Sequence, residues 1–365
     1  MIAINATVLD SRPTGLGVVA REIANGVARL DGRVAILAAH PEAFSAARVL
    51  AVPPWVCARH RFPVGGVPRF LWEQFRLPRL LKRLGARVLL SPNHEAVFFP
   101  PCPQVMVIHD LLPLVVPEDF PKLKHYYRHV LPWALRKAAA VIAVSETTKK
   151  DLVRLYGLAP EKIDVIYSGI DRRLFQPSSG LAPAAEPYIL YVGNQYPYKN
   201  LPRLIEAFAG LAQDGFPHAL RLAGIIDPRR IGGLRRLVSR LGLQDRVRFL
   251  GYVPEQDLPG LYAQAQLFVL PSLHEGFGLT AAEAMACGCP AALSRSSSLP
   301  EVGGEAACYF DPLDARDMRA RLSEVLGDAP RRAAMARAGL EQSRRFDWES
   351  ASRGYLEVLR RVARP

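Results

Sequence analysis

Residues 176–193 read QPSSGLAPAAEPYILYVG, and the fold turns on how this stretch is read. Its first twelve residues hold three prolines, a glycine and two serines, which is linker chemistry. The solid apolar run Tyr188-Ile189-Leu190-Tyr191-Val192 follows at once and ends in Gly193. A run of that kind fits a parallel strand buried on both faces. The chain therefore starts a second α/β domain here, after completing a first.

The same alternation extends outward in both directions. Upstream, strands are expected at Ile2–Leu9, Val34–Ala39, Arg87–Ser91, Gln104–His109, Ala140–Val144 and Lys162–Tyr167. Downstream they are expected at Tyr188–Val192, Leu220–Ala223, Val247–Leu250, Leu267–Leu270 and Ala291–Ser294. Helical periodicity falls between them at Val18–Leu30, Phe70–Leu84, Lys124–Lys137, Glu146–Tyr156, Leu201–Ala212, Gly233–Leu241, Gln256–Gln264 and Ala315–Leu326. This predicts two doubly wound, Rossmann-like domains, 1–175 and 188–345, with 176–187 as the linker. Ligands of such sheets bind beyond the carboxyl ends of the strands, so two facing halves imply a central cleft.

Composition narrows the function. The chain has 365 residues and a formal charge of +13, which favours anionic partners. Through residue 172 there are 23 Lys/Arg against 14 Asp/Glu; the remainder has 24 against 20. Residues 59–87 hold eight basic side chains, including Arg59, Arg61 and Arg69, against the single acid Glu73. Aromatic and aliphatic residues are interleaved with them, which suits either an anionic membrane surface or a solvated basic face. The five cysteines lack metal or redox spacing and fit a reducing cytoplasm. The opening MIAINATVLD reads as a strand and not as a signal peptide.

Four loops hold the chemistry. Thr14-Gly15-Leu16-Gly17, with Ala20, spells a Gly-x-Gly-x-x-Ala turn before a helix; it reads either as a phosphate-approaching loop or as a plain turn. His109 and Asp110 end a buried strand, where the histidine either meets a ligand or caps backbone. Lys199, in Gly193-Asn194-Gln195-Tyr196-Pro197-Tyr198-Lys199, stands before a helix as a point charge for a pyrophosphate. Glu275 and Glu283 bracket the Gly276-Phe277-Gly278-Leu279 turn at a helix start, where backbone amides attract anions. A tight structural turn is the competing reading. Gly278 occupies the place of the second histidine of a zinc-protease helix. The chain also lacks an Asp-x-Asp pair, a P-loop and a Gly-x-Ser-x-Gly elbow.

The pattern Glu275-Gly276-Phe277-Gly278-Leu279 with Glu283-Ala284-Met285-Ala286-Cys287-Gly288 resembles the E-x7-E signature of family 4 glycosyltransferases, retaining enzymes of the GT-B fold. Further likenesses are Thr14–Gly17, His109–Leu114, Val141–Glu146, Gly193 with Lys199-Asn200-Leu201, Phe249–Val253 and Pro300-Glu301-Val302. The resemblance implies that Glu283 holds the ribose of a nucleotide-diphosphate sugar and that Glu275 contacts the sugar. It gives the diphosphate to the Gly278 and Leu279 backbone, Lys199 and Gly15–Gly17, and sets His109 beside the transferred sugar. Gly193, Asn194, Tyr252, Gly276 and Phe277 complete the implied donor contacts. The resemblance also makes 1–175 the acceptor-binding domain, with a C-terminal helix in 346–365 crossing back to it, and 188–345 the nucleotide-sugar-binding domain.

The chain departs from the family where many members carry an arginine: Asn194 and Tyr198 stand there, so the leaving group rests either on Lys199 and helix dipoles alone or on a substitute such as Arg12. Thr280 replaces a frequent proline. The implied activity is metal-independent, retaining hexosyl transfer without a cofactor, in cell-surface polysaccharide or lipopolysaccharide synthesis. GDP-mannose or a GDP-deoxyhexose is the expected donor, and a saccharide or polyprenyl-diphosphate-linked saccharide the acceptor. The expected setting is the cytoplasm, at the inner face of the membrane, with no nucleic-acid partner. The alternatives are a UDP-sugar transferase, a nucleotide-sugar 2-epimerase, an NAD-dependent oxidoreductase and a non-enzymatic basic adaptor for membrane or nucleic acid.

Overall fold

In the computed structural model the described residues are 1–9, 15–45, 48–57, 67–178 and 184–363. Arg12 and Thr14, Arg59 and Arg61, and residues 179–183 of the proline-rich stretch lie outside them. The chain divides into two compact units, Met1–Gly169 with Asp347–Pro365, and Ile170–Phe346. The first division thus falls ahead of the 176–187 stretch.

The first unit is built on seven strands: β1 Ile2–Asn5, β2 Val34–Ala38, β3 Val49–Ala51, β4 Val88–Ser91, β5 Gln104–Ile108, β6 Ala140–Ala143 and β7 Ile163–Val165. They lie in the order β3-β2-β1-β4-β5-β6-β7, and every pairing is parallel. The second unit has six: β8 Tyr188–Val192, β9 Ala219–Ala223, β10 Val247–Gly251, β11 Leu267–Leu270, β12 Ala291–Ser294 and β13 Cys308–Phe310. Their order is β10-β9-β8-β11-β12-β13, again all parallel. Both orders reverse direction once, between β1 and β4 and between β8 and β11, and this reversal is where doubly wound sheets bind ligands. The central strands are buried along their length because helices cover both faces.

Several elements differ from expectation for local reasons. Phe70–Leu84 is not one helix but two, Val67–Phe75 and Leu77–Leu84, and Lys124–Lys137 splits into Leu123–His129 and Leu131–Lys137. A proline, Pro78 or Pro132, sits in the first turn of each second helix, where its missing amide and fixed φ suit a new start. The first helix begins at Gly15 and runs to Leu30, so Gly15 and Gly17 belong to its opening turn and not to a preceding loop. The helix expected at Gly233 begins at Pro228, capped by the Asp227 side chain. Strands β3 and β13, three residues each, lacked a run long enough to be seen in sequence. The C-terminal helix Trp348–Val362 packs on Gly15–Leu30, and Arg360 and Arg361 tie it to Asp31 and Asp164 of the first unit.

Candidate functional site

The second unit gathers its chemistry beyond the carboxyl ends of β8 and β11. After β8 the chain passes Gly193 and Asn194, whose carbonyl accepts the Tyr191 hydroxyl at 2.6 Å, and reaches the short 3-10 turn Pro197–Lys199. The approach is tight. Gly224, at φ 143°, lies so close to the Gly193 carbonyl that a Cβ there would stand 1.8 Å from the oxygen. Asn200 ends the turn in the left-handed region at φ 61°. Its side-chain amide donates to the carbonyls of Pro271 at 3.0 Å and Pro312 at 2.7 Å, and the Leu273 amide donates to the Tyr198 carbonyl at 2.8 Å. These bonds fasten the loop after β8 to the loop after β11.

Lys199 and Glu275 meet across this fastening: Nζ lies 2.5 Å from Oε1. Both are largely buried, and Ser272 Oγ donates to the same carboxylate oxygen at 2.6 Å. Burial alone would favour a neutral amine. Glu275 beside it, with Tyr198 and Tyr191 around it, instead holds the Lys199 ammonium above its ordinary range. The site thus keeps a fixed positive charge, already aimed by its partner.

The serine run Ser294–Ser298, with Arg295 as its one other residue, supports the glycine turn from below. Ser297 Oγ accepts from the Glu275 amide at 2.7 Å; Ser298 Oγ donates to the carbonyls of Glu275 at 3.0 Å and Phe277 at 2.8 Å. Ser294 and Ser296 donate to the carbonyls of Ser272 and Leu273, each at 2.6 Å. Gly278, at φ 102°, then opens the helix Leu279–Ala286. Ala281 and Ala282 bond back to the Gly278 carbonyl, while the Leu279 and Thr280 amides precede any intrahelical acceptor. Such amides, with the helix dipole, favour an anion.

Glu283 sits one turn inside that helix. It is buried, Tyr262 Oη donates to its Oε2 at 3.0 Å, and burial pushes its carboxyl up to about 8. Tyr252 follows β10 and is exposed.

The remaining expected residues belong to the first unit. His109 follows β5 and donates Nε2–H to the Pro92 carbonyl at 2.7 Å, which leaves Nδ1 as the acceptor nitrogen. Burial keeps this ring neutral, against the weaker opposing effect of the carbonyl. Asp110 Oδ1 accepts from the Leu112 amide at 3.0 Å. Gly15 is exposed and Gly17 buried in the opening turn of their helix. The supporting groups Ser272, Ser294, Ser296–Ser298 and Tyr262 escaped the sequence reading. The only trace was the density of serines just after a strand.

Family models match both units: "Glycosyltransferase Family 4" over residues 13–174 and "Glycosyl transferases group 1" over 173–342. The O-antigen chain mannosyltransferase B of Escherichia coli is 33% identical over 258 residues, covering 68% of this chain and 68% of that protein. The serotype-specific mannosyltransferase WbdA of the same species is 30% identical over 278 residues, 72% of this chain, which spans only 34% of WbdA. The structure of Anabaena Alr3699/HepE in complex with UDP-glucose superposes with a TM-score of 0.78 at 21% identity, covering 99% of both chains.

Proposed function

The chain belongs to the family 4 glycosyltransferases, with the two parallel-sheet domains of the GT-B fold, and from that premise we propose that it moves a hexose from a nucleotide-diphosphate sugar onto a growing surface polysaccharide. The transfer retains anomeric configuration and uses neither metal nor cofactor. The relatives named as mannosyltransferases support mannose as the sugar. GDP is the nucleotide we assign to it. The acceptor is a saccharide or a polyprenyl-diphosphate-linked saccharide.

One observation carries this reading: a buried Lys199–Glu275 pair stands at the switch between β8 and β11, beside the open amides of Leu279 and Thr280. As the sugar C1–O bond breaks, negative charge grows on the departing diphosphate. A permanently charged Lys199 and fixed helix-start amides stabilise that charge without reorganising. Glu275, held by Ser272 and Ser297, receives a sugar hydroxyl. Glu283 takes the ribose hydroxyls. The acceptor oxygen attacks C1 on the face the diphosphate leaves, and its proton passes to the departing phosphate oxygen. In the first unit, His109 is neutral, and its Nδ1, not engaged by the Pro92 carbonyl, is the atom that would accept a hydrogen bond from a sugar hydroxyl.

The enzyme works at the cytoplasmic face of an anionic membrane. No helix among the described residues is long and apolar enough to cross one. The first unit presents exposed Phe70, Phe99 and Trp133, linked through half-buried Phe98. Phe70 lies 5.5 Å from Phe98, and Trp133 lies 5.1 Å from Phe98 and 6.1 Å from Phe99, with Lys137 over the Trp133 and Phe99 rings.

A thermal-shift panel of UDP, GDP, ADP and dTDP sugars tests the donor. At a hundredfold excess over Kd the bound sugar nucleotide should stabilise the protein by about 2.7 kcal/mol. Nucleoside diphosphate release should then require added saccharide, persist in EDTA and give a product of unchanged anomeric configuration. Release without saccharide would favour the epimerase or hydrolase reading. No shift with any sugar nucleotide would overturn the transferase.

A further inference from the structure

Glu275 stands in residues 271–278, which join β11 to the helix Leu279–Ala286 and have no regular structure of their own. A largely buried stretch of that kind must find partners for its backbone elsewhere. Side chains after β12 supply them, and at Glu275 they leave one group over. Its amide donates to Ser297 Oγ at 2.7 Å, and its carbonyl accepts from Ser298 Oγ at 3.0 Å. Its Oε1 accepts from Ser272 at 2.6 Å and from Lys199 at 2.5 Å. Among the described residues, Oε2 accepts no hydrogen bond. That oxygen is left for a ligand, and its direction follows from how the Glu275 peptide is held.

Ser297 holds that peptide from a strained backbone. Among the described residues, two that are not glycine have a positive φ: Asn200 at 61° and Ser297 at 53°. Asparagine visits this region readily, whereas in serine the Cβ crowds the following carbonyl. Glycine would make the same turn without that cost. The hydroxyl offsets the strain: without it, the amide of Glu275, a residue 8% exposed, would lack its acceptor. The neighbouring serines keep the loop from relaxing. Ser296 bonds the Leu273 carbonyl at 2.6 Å, and Ser298 also bonds that of Phe277 at 2.8 Å. Strain of this sort persists where its surroundings over-determine it, and it collects at functional sites.

We propose that Ser297 is a positioning residue for the transfer: its left-handed backbone sets the hydroxyl against the Glu275 amide and so aims Glu275 Oε2 at the donor sugar. The proposal rests on the transferase reading and adds the residue that directs its sugar contact.

Two substitutions separate the hydroxyl from the turn. Ser297→Ala keeps the strained Cβ, Ser297→Gly relieves it, and both remove the acceptor. Each should lower kcat with GDP-mannose by about tenfold, as expected for a misaimed contact, and leave the Kd of GDP, which carries no sugar, within twofold. In a Glu275→Ala background, Ser297→Ala should cost less than a further twofold, because the carboxylate it aims is gone. Wild-type kcat in Ser297→Gly would mean that the turn alone matters, and would overturn the proposal. So would an equal loss with and without the Glu275 carboxylate. Hydrogen exchange of the ligand-free chain, read by mass spectrometry on peptides covering residues 273–279, reports on the amide itself: one amide should exchange about tenfold faster, or more, in both variants. Unchanged exchange overturns the proposal whatever the activity. A wild type that turns over no sugar nucleotide, with exchange still faster in both variants, upholds the hold of Ser297 on Glu275 and overturns the transferase reading instead.

Discussion

Glu283 combines burial with a single hydrogen-bond donor among the described residues, Tyr262, and two measurements follow from that. Burial raises its carboxyl from the ordinary 4.5 to about 8, with Tyr262 opposing more weakly. A carboxyl raised on folding stabilises the protein fully below 4.5, and this contribution is lost as pH rises through 8. Glu283→Gln stays neutral throughout. Its stability should match the wild type in mild acid and exceed it above pH 8, by a margin on the order of 3–5 kcal/mol. Thermal denaturation from pH 5.5 to 8.5 reads this, and a constant gap between the two proteins would refute it. If ribose hydroxyls donate to this carboxyl, binding the donor favours its ionised form. Calorimetry in buffers of different ionisation enthalpy should then show proton release near pH 7, absent in Glu283→Gln. Gly278 makes a separate case. Its φ of 102° excludes most side chains, and a Cβ would stand 2.6 Å from Leu299 Cδ2. Gly278→Ala should cost about 1–2 kcal/mol from the backbone alone and weaken donor binding through the displaced amides. Unchanged donor affinity would count against the anion site. The two glutamates and this glycine were legible in sequence because they share one turn at fixed spacing. The serines beneath them, and the hydrogen bonds from Asn5 and Thr7 to the Glu73 carboxylate, were not. Their partners lie 22 to 68 residues away, and only the folded sheet brings them together.

At the scale of elements, alternation of apolar runs and amphipathic stretches was enough to place most of the strands and both sheets. It failed where an element is too short to repeat its pattern, as in β3 and β13, and where a proline restarts a helix without interrupting the apolar period, as at Pro78 and Pro132. Periodicity reports which face is buried and says nothing of which helix it meets. The contact between Gly15–Leu30 and Trp348–Val362 depends on such a pairing. Gly26 faces Ser352 so closely that a Cβ would lie 1.9 Å from Oγ, whose hydroxyl already donates to the Trp348 carbonyl at 2.6 Å. Both helices must separate to admit a methyl group there. Gly26→Ala should destabilise the protein by about 1–3 kcal/mol, the usual range for overpacking. Adding Ser352→Ala removes the nearest atom and should recover part of that loss. Chemical denaturation of the two single variants and the double variant gives the coupling. Additive effects would show that the helices do not meet at this point.

For the whole molecule, the distribution of charge and exposed aromatic surface bears on where the enzyme works. The segment through residue 172 carries a net charge of +9 out of +13, and within it Phe70, Phe99 and Trp133 are 38%, 76% and 36% exposed. Solvated lysines and arginines need no such aromatic company, whereas a bilayer surface takes both: basic groups meet anionic headgroups and rings enter the interface. Each basic side chain near an anionic surface contributes about 1 kcal/mol, screened within a Debye length. Co-sedimentation should therefore show binding to vesicles containing phosphatidylglycerol, weak binding to phosphatidylcholine alone, and a steep fall between 50 and 300 mM salt, as expected from a Debye length that shrinks below about 10 Å over that range. Phe70→Ser with Phe99→Ser removes apolar area and leaves the charge intact. This pair should reduce partitioning by roughly tenfold, given about 1.5–3 kcal/mol for full burial of one such ring and only partial insertion, with an unchanged slope against salt. Loss of the salt dependence in that variant would mean that the rings act by holding the basic surface in shape. Equal binding to neutral vesicles would place the first unit's charge in the service of the anionic substrates alone.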